Sequence, residues 1–131
     1  MENIRDTLHQ FLRAFSTLQL DDVMRFFADD ATAFFPIRHR ALRLVGKEAI
    51  SEAFTKVLAR ARASGATQIR LDAEDVHVQA FDDVAVVTFH IRDDDLNRRT
   101  LVLRRTRGGW RIEHLHASNA PFPEKPPEAR S

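Results

Sequence analysis

The sequence predicts an α+β fold, with helices in the N-terminal half and a mainly antiparallel sheet after them. Before Gly65, apolar residues recur every three or four positions, which is typical of amphipathic helices. After Gly65, Val, Ile, Leu, Thr and Phe dominate four segments, as strands prefer: residues 67–80, 84–92, 98–107 and 110–119. Only a few residues separate these segments, and such short connections force neighbouring strands to be antiparallel. The four segments are therefore expected to form a meander.

Helical spacing is present in three segments of the N-terminal half. The first covers residues 3–18, and its apolar stripe consists of Ile4, Leu8, Phe11, Leu12, Phe15 and Leu18. A short second helix begins at Asp21 and Asp22, because carboxylates are favourable at a helix N-terminus. Gly46 opens the third helix, and Gly65 is placed to cap its far end. The apolar stripe of the third helix consists of Ile50, Ala53, Phe54, Val57, Leu58 and Ala61.

Two further segments complete the domain organisation. Between the second and third helices, "ADDATAFFPI" predicts a turn into a short strand that Pro36 ends. Residues 1–119 are expected to form a single domain, because 131 residues suit one domain of ordinary size. Residues 120–131, "APFPEKPPEARS", are Pro-rich and polar, which predicts a mobile tail with little to bury.

The composition excludes several classes of chemistry. Cys is absent, which excludes disulfides, thiolate nucleophiles and Cys-based zinc sites. Tyr is absent although there are 10 Phe, so no mechanism can use a phenol as hydrogen-bond donor. The net charge of +1 gives no general reason to expect nucleic acid. No apolar run approaches the roughly 20 residues needed to span a bilayer. The N-terminus carries charges where a secretory signal would be apolar, so we expect a cytoplasmic protein without a membrane partner.

The segment "VAVVTFHI" gives a prediction about quaternary structure. Both of its alternating sets of residues are largely apolar, whereas an antiparallel sheet with one wet face should alternate more cleanly. Three helices can cover one face of the sheet, and the other face then needs a partner. A symmetric homodimer is the simplest source of one, so a homodimer is predicted.

The order of elements and three local segments resemble the nuclear transport factor 2-like superfamily, in its SnoaL-like branch. The segments are "FFADDATAFF" after the second helix, "VGKEAISEAF" opening the third helix, and "GGWRIEHLHAS" in the last strand. The resemblance covers roughly residues 3–119. It implies a cone-shaped α+β barrel with a curved sheet, a pocket between the concave face and the helices, and frequent dimerisation. This fold hosts many functions, so it does not specify one.

Departures from known members of the superfamily restrict the activity. Ketosteroid isomerases, scytalone dehydratases and limonene epoxide hydrolases of this fold use tyrosines, which this chain lacks. The last strand is also similar to the association domain of calmodulin-dependent kinase II, where an arginine reaches into the cleft. Ala117 occupies that position here, so anion capture by that route is lost. The same comparison places the cleft on the face of Glu113, Leu115 and Ala117.

His114 and His116 are the most conspicuous polar residues of the last strand. Residues two apart on a strand share a face, so strict alternation places them with Trp110, Ile112 and Ser118. They could be two ligands of a metal, with His77 or His90 as a third, or acid/base catalysts, or polar residues within the sheet or a dimer contact. The spacing alone is weak support for a metal, and the pattern favours a structural or interface role. We therefore expect no metal and no other cofactor.

Two carboxylates are candidate acid/base residues. Glu113 would have a raised pKa if it faced an apolar cone, because burial disfavours the charged form, and it would then be suited to proton transfer. The structural alternative is that Glu113 lies at the rim and pairs with Arg104 or Arg105 on the adjacent strand. Asp75 on the first meander strand has the same ambiguity.

The predicted pocket combines an apolar wall with a basic mouth. The wall is predicted to contain Phe35, Phe54, Phe89, Leu103 and Leu115. The segment "PIRHRALR" at residues 36–43 is expected to rim the mouth, where His39 and Arg40 would orient an anionic end of a ligand. Solvated loop charge is the alternative for that segment.

Two functions from different classes are consistent with the sequence. The first is a small-molecule pocket for a hydrophobic ligand with a polar or anionic end. Such a pocket could serve binding alone, or isomerase-, cyclase- or hydrolase-like chemistry with a pocket carboxylate. The second is a non-catalytic dimeric scaffold or association domain whose cavity has no chemical task.

Overall fold

The computed structural model describes residues 3–37 and 41–123, and within them three helices pack on a curved, open sheet of six strands. The helices are α1 (Ile4–Ser16), α2 (Leu20–Met24) and α3 (Lys47–Ala63). The strands are β1 (Phe27–Phe34), β2 (Leu44–Val45), β3 (Glu74–Phe81), β4 (Val84–Arg92), β5 (Leu96–Thr106) and β6 (Gly109–Ala120). The predicted α+β class is confirmed.

The sheet has the order β2-β1-β6-β5-β4-β3. Strands β3 to β6 pair antiparallel in sequence order, which confirms the predicted meander. Strand β1 lies parallel to β6, and β2 pairs antiparallel with β1 at the sheet edge. The two-residue strand β2 was not predicted, because it is too short to show a periodicity.

The ends of α1 and α3 depend on local side-chain and backbone chemistry. The Asn3 side chain caps α1 by accepting a hydrogen bond of 2.8 Å from the backbone N–H of Arg5. Gly46 precedes α3 with φ +94°, and Gly65 follows its last turn with φ +92°. A residue with a side chain would be strained at such angles, which explains glycine at both positions.

Residues 66–73 form an irregular strap between α3 and β3. The predicted strand began at residue 67, but the structure starts β3 only at Glu74. The backbone N–H of Ile69 donates to the carbonyl of Ser16 at 2.8 Å, so the strap is tied to the end of α1 rather than to the sheet. This tie holds the strap across one end of the helical layer.

Strand β6 contains a β-bulge that changes which side chains share a face. Val102 of β5 lies opposite His114, whereas Leu103 lies opposite Ile112, so Glu113 is the extra residue. Ile112 and Leu115 are therefore both buried, although they are three positions apart. The strict alternation predicted for this strand was wrong, because the bulge separates Ile112 from His114.

We call the sheet face that packs on the helices the inner face and the opposite one the outer face. The inner face contributes to the core through alternate residues of β4, β5 and β6: Ala85, Val87, Phe89, Leu101, Leu103, Trp110, Ile112 and Leu115. The outer face carries partly exposed residues of the same strands: Val86, Thr88, Thr100, Val102 and His114.

Phenylalanine rings join the helices to the sheet. Phe54 of α3 contacts Phe27 of β1, with centroids 5.7 Å apart, and Phe35, with centroids 4.8 Å apart. Phe11 of α1 meets Phe27 edge-on at 5.9 Å. Because such contacts stabilise beyond simple burial, this cluster holds α1 and α3 against the sheet.

Replacement of Phe27 by alanine should destabilise the fold strongly. Phe27 is 2% exposed and contacts rings from two helices, so Phe27→Ala is expected to lower the free energy of unfolding by about 3–5 kcal/mol. Urea denaturation followed by circular dichroism measures the change. Phe81→Ala is the control, because Phe81 is 61% exposed. Equal losses in the two variants would contradict the assigned core.

Candidate functional site

A cavity of about 180 Å³ lies between the inner face and the helices. Its wall is mostly aromatic and aliphatic, with contributions from α1, α3, the segment that follows β1, the strap and strands β4 to β6. The principal apolar residues are Phe11, Phe15, Phe35, Phe54, Phe89 and Leu115. A concave, mostly apolar space of this kind is the usual form of a small-molecule site.

Four of the five predicted wall residues line this cavity: Phe35, Phe54, Phe89 and Leu115. Leu103 does not, because it lies further along β5 in the packed core, where it is 1% exposed. His39 and Arg40 lie outside the described residues. Ile37, two positions before His39, does line the cavity.

Glu113 does not face the cavity. The bulge directs it away from the inner face, and its Oε1 lies 3.4 Å from Nε of Arg104 on the neighbouring strand. Strict alternation had placed Glu113 with Leu115 and Ala117, and the extra residue breaks that alignment. The ion pair that the sequence offered as the structural alternative is the one present, so the condition for proton transfer by Glu113 inside the cone is not met.

Asp75 also lies away from the cavity. It is exposed, at an irregularity of β3 where the register with β4 shifts between Glu74 and His77. Its φ of +53° is a left-handed conformation, which Asp tolerates better than most residues. The cavity wall formed by the described residues contains no carboxylate and no imidazole.

The cavity has one polar end, formed by Asn97 and Arg99. Asn97 and Arg99 are two apart on β5 and both line the cavity. Asn119 lies opposite Asn97 on β6, and Ala117 lies opposite Arg99. The small side chain of Ala117 leaves space beside the arginine stem.

Backbone carbonyls and an amide hold one edge of the Arg99 guanidinium. Its Nη1 donates to the carbonyl of Arg98 at 2.9 Å, to the carbonyl of Ser118 at 3.3 Å and to Oδ1 of Asn119 at 3.4 Å. Within residues 3–37 and 41–123, Nε and Nη2 of Arg99 donate to no protein acceptor. Two N–H-bearing nitrogens of the same guanidinium are therefore available to a ligand.

The Arg99 charge is partly desolvated and has no carboxylate partner in the described part of the chain. Burial lowers the pKa of Arg99 below its ordinary value, although arginine stays protonated at neutral pH. The carboxylate of Glu74 on β3 pairs with residues of β4. Its Oε1 accepts from Nε of Arg92 at 2.6 Å and contacts Nε2 of His90 at 3.1 Å.

Sequence reasoning missed Asn97 and Arg99 as site residues. Arg99 is one of seven arginines between residues 92 and 111, and a solvated surface explains most of them. A usable signal was the alternation of Arg99 with Leu101 and Leu103, which places all three on one face. Arg99 of β5 lies opposite Ala117 of β6.

His114 and His116 lie on the outer face, away from the cavity. His114 Nδ1 is hydrogen-bonded to Oγ1 of Thr32 at 2.7 Å. Phe34 of β1 contacts both imidazoles, with centroid distances of 5.9 Å to His114 and 5.3 Å to His116. Among the residues that the structure describes, no three His, Asp or Glu side chains are grouped to hold a metal ion.

The pKa of His114 lies below its ordinary value. Burial is the largest cause, and the neighbouring charges of His116 and Arg43 add to it, while a hydrogen bond with Thr32 opposes it. The imidazole is therefore neutral at pH 7. In the unfolded chain His114 would take up a proton near pH 6.5.

Acid should destabilise the fold through His114. Because the unfolded state binds this proton more readily, stability is complete above about pH 6.5 and falls as pH drops below that value. His114→Gln keeps a hydrogen-bonding group for Thr32 but does not titrate. Its melting temperature should fall less than that of the wild type between pH 7.5 and pH 5.5, by differential scanning calorimetry.

His9→Gln is the matched control for that comparison, because His9 is an exposed histidine on α1. An identical pH dependence in the His114→Gln variant and the wild type would show that His114 does not contribute to acid sensitivity.

Comparison with known proteins assigns the family. The model of the SnoaL-like domain matches residues 4–123, so the chain belongs to the SnoaL-like domain family. Among curated proteins, none matches the sequence. The described helices include none that is long and apolar enough to cross a bilayer.

Solved structures share the fold at low sequence identity. An NTF2-like protein of unknown function from Pseudomonas putida is 24% identical, with a TM-score of 0.75, and the match covers 93% of this chain and 87% of that one. A ketosteroid isomerase-like protein from Erwinia carotovora is 19% identical over 90% and 95% of the chains, with a TM-score of 0.70. A provisionally assigned calcium/calmodulin-dependent protein kinase type II association domain from Thiobacillus denitrificans is 25% identical over 92% and 97%, with a TM-score of 0.70.

Proposed function

We propose that this protein binds one small hydrophobic molecule in the cavity between its sheet and its helices. The observation that carries the proposal is an apolar space of about 180 Å³, walled by aromatic rings, inside an otherwise packed core. Protein interiors normally leave few voids larger than a water molecule, so a space of this size sets this part of the core apart as a ligand site.

Binding without acid/base chemistry fits the described wall best. Asn97 and Arg99 are polar but poorly suited to move protons, since arginine does not deprotonate in proteins. Glu113 and Asp75, the carboxylates first considered for that role, lie elsewhere. The similarity to the ketosteroid isomerase-like protein supports a shared fold but not a shared activity, because the identity is only 19%.

Filling the cavity should abolish binding of a neutral apolar probe. Ala117 lines the cavity with a single methyl group, and Ala117→Leu extends a larger side chain into the space. Hexan-1-ol should raise the melting temperature of the wild type, because a ligand that binds only the native state stabilises it. The variant should show at most a small part of that shift in a thermal-shift titration.

Ala80→Leu is the matched control, since Ala80 is exposed on β3 and lies outside the cavity wall. It should respond to hexan-1-ol as the wild type does. A wild type without any response, or an equal response in Ala117→Leu, would overturn the proposed binding site. Native mass spectrometry of the purified protein adds a direct search for a bound molecule.

A homodimer formed through the outer face is the second candidate property, and it would serve a scaffold as well as a ligand-binding protein. Its support is that Val86, Thr88, Thr100 and Val102 are only partly exposed although they lie on the face opposite the helices. The similarity to an association domain points in the same direction. An apolar sheet face of this kind is covered most simply by a second copy.

A charge on the outer face should disrupt such a dimer. Val102→Glu places a carboxylate in the middle of the face, whereas Thr55→Glu places one at an exposed position on α3. Light scattering after size exclusion should give a dimer mass for the wild type and Thr55→Glu, and a monomer mass for Val102→Glu. A monomeric wild type would refute the dimer without bearing on the cavity.

A further inference from the structure

The polar end of the cavity contains hydrogen-bond donors that an apolar ligand would not pair with. Nε and Nη2 of Arg99 lack protein acceptors in the described structure, while Nη1 is held by two carbonyls and Asn119. A guanidinium presents its N–H groups in a planar fork that matches the two oxygens of a carboxylate. Arg99 is held at its Nη1, and its side chain lines the cavity.

The single positive charge of the described cavity wall favours a ligand with one negative charge. Arg99 is the only cation among the described residues of the wall. A phosphate dianion would need more positive charge than one arginine supplies, and a neutral guest would leave a partly desolvated guanidinium without a counter-ion. A single negative charge balances the site.

The volume of the cavity limits the size of the apolar part of the ligand. A cavity of about 150 Å³ lined by apolar residues holds one benzene molecule. The space of about 180 Å³ therefore suits one ring or a short alkyl chain together with a small head group. Phe54 and Phe89 would contact such a body, while the head group reaches β5.

We propose that the ligand is a small monocarboxylate, whose ring or short chain fills the apolar cavity and whose carboxylate pairs with Arg99. This inference rests on the proposed function above and names the class of ligand. Asn97 lies on the same face as Arg99 and offers a further donor to the carboxylate. Asn119 is a positioning residue, because its Oδ1 accepts from Nη1 and leaves the opposite edge of Arg99 available.

The test compares each acid with its neutral amide of the same shape. Phenylacetate and hexanoate are titrated into the full chain at neutral pH by isothermal calorimetry, alongside 2-phenylacetamide and hexanamide. The acids should bind about tenfold more tightly or better, since hydrogen bonds to charged groups are the stronger ones. The amides report whether the apolar part of the cavity binds at all.

Arg99→Met retains an unbranched stem without the charge. It should remove the preference for the acids over the amides in the same titrations. Arg98→Met is the matched control, because Arg98 is exposed and immediately precedes Arg99 on the strand. Arg99→Lys keeps the charge and should retain part of the preference, which provides a second test if the methionine variant does not fold.

Each result decides a separate point. Equal binding of acids and amides by the wild type would overturn the monocarboxylate inference and leave the proposed binding function intact. A preference that survives in Arg99→Met would overturn Arg99 as the recognition residue. Absence of binding by all four probes, together with no response to hexan-1-ol, would remove the proposed function and this inference with it.

Discussion

The extra residue in the last strand determines what each face of this protein can do. Because Glu113 is bulged, Ile112 and Leu115 both turn inward, and His114 turns outward. Without the bulge, continuing the inward alternation from Ile112 would bring His114 into the core and turn Leu115 out. The bulge thus keeps the cavity apolar and places the imidazoles against β1. The pairing of Glu113 with Arg104 secures the inserted residue on the side away from the cavity.

The core and the candidate site use the same aromatic residues, so a substitution that weakens one also affects the other. Phe54 packs against three other rings and also lines the cavity. A ligand there would add contacts to these rings. The polar end differs, because Arg99 is held mainly by carbonyl groups of the sheet, whose positions depend on strand pairing rather than on side-chain packing. Specificity at that end can change without disturbing the aromatic cluster.

Local patterns in the sequence predict the helices and the meander, since periodicity and short connections act between near neighbours. They do not predict that β1 pairs parallel to β6, because that contact joins distant segments. The bulge left a trace that alternation obscured: the apolar series Trp110, Ile112, Leu115, Ala117 contains one step of three. Four wall residues followed from the expected core, whereas Arg99 could be separated from the other arginines only by its alternation with Leu101 and Leu103 on β5.

Leu71 of the strap lies between the cavity and two grooves on the protein surface. It lines the cavity and also two outer grooves, one beside α1 and one beside the β4–β5 end of the sheet. Among the described residues the strap has no sheet partner, and irregular segments of this kind move on nanosecond to microsecond timescales. Exchange of a guest through Leu71 would therefore not require the aromatic layer to separate. The residence time of a ligand would then depend on the strap. Its affinity would depend on the aromatic rings and the Arg99 guanidinium.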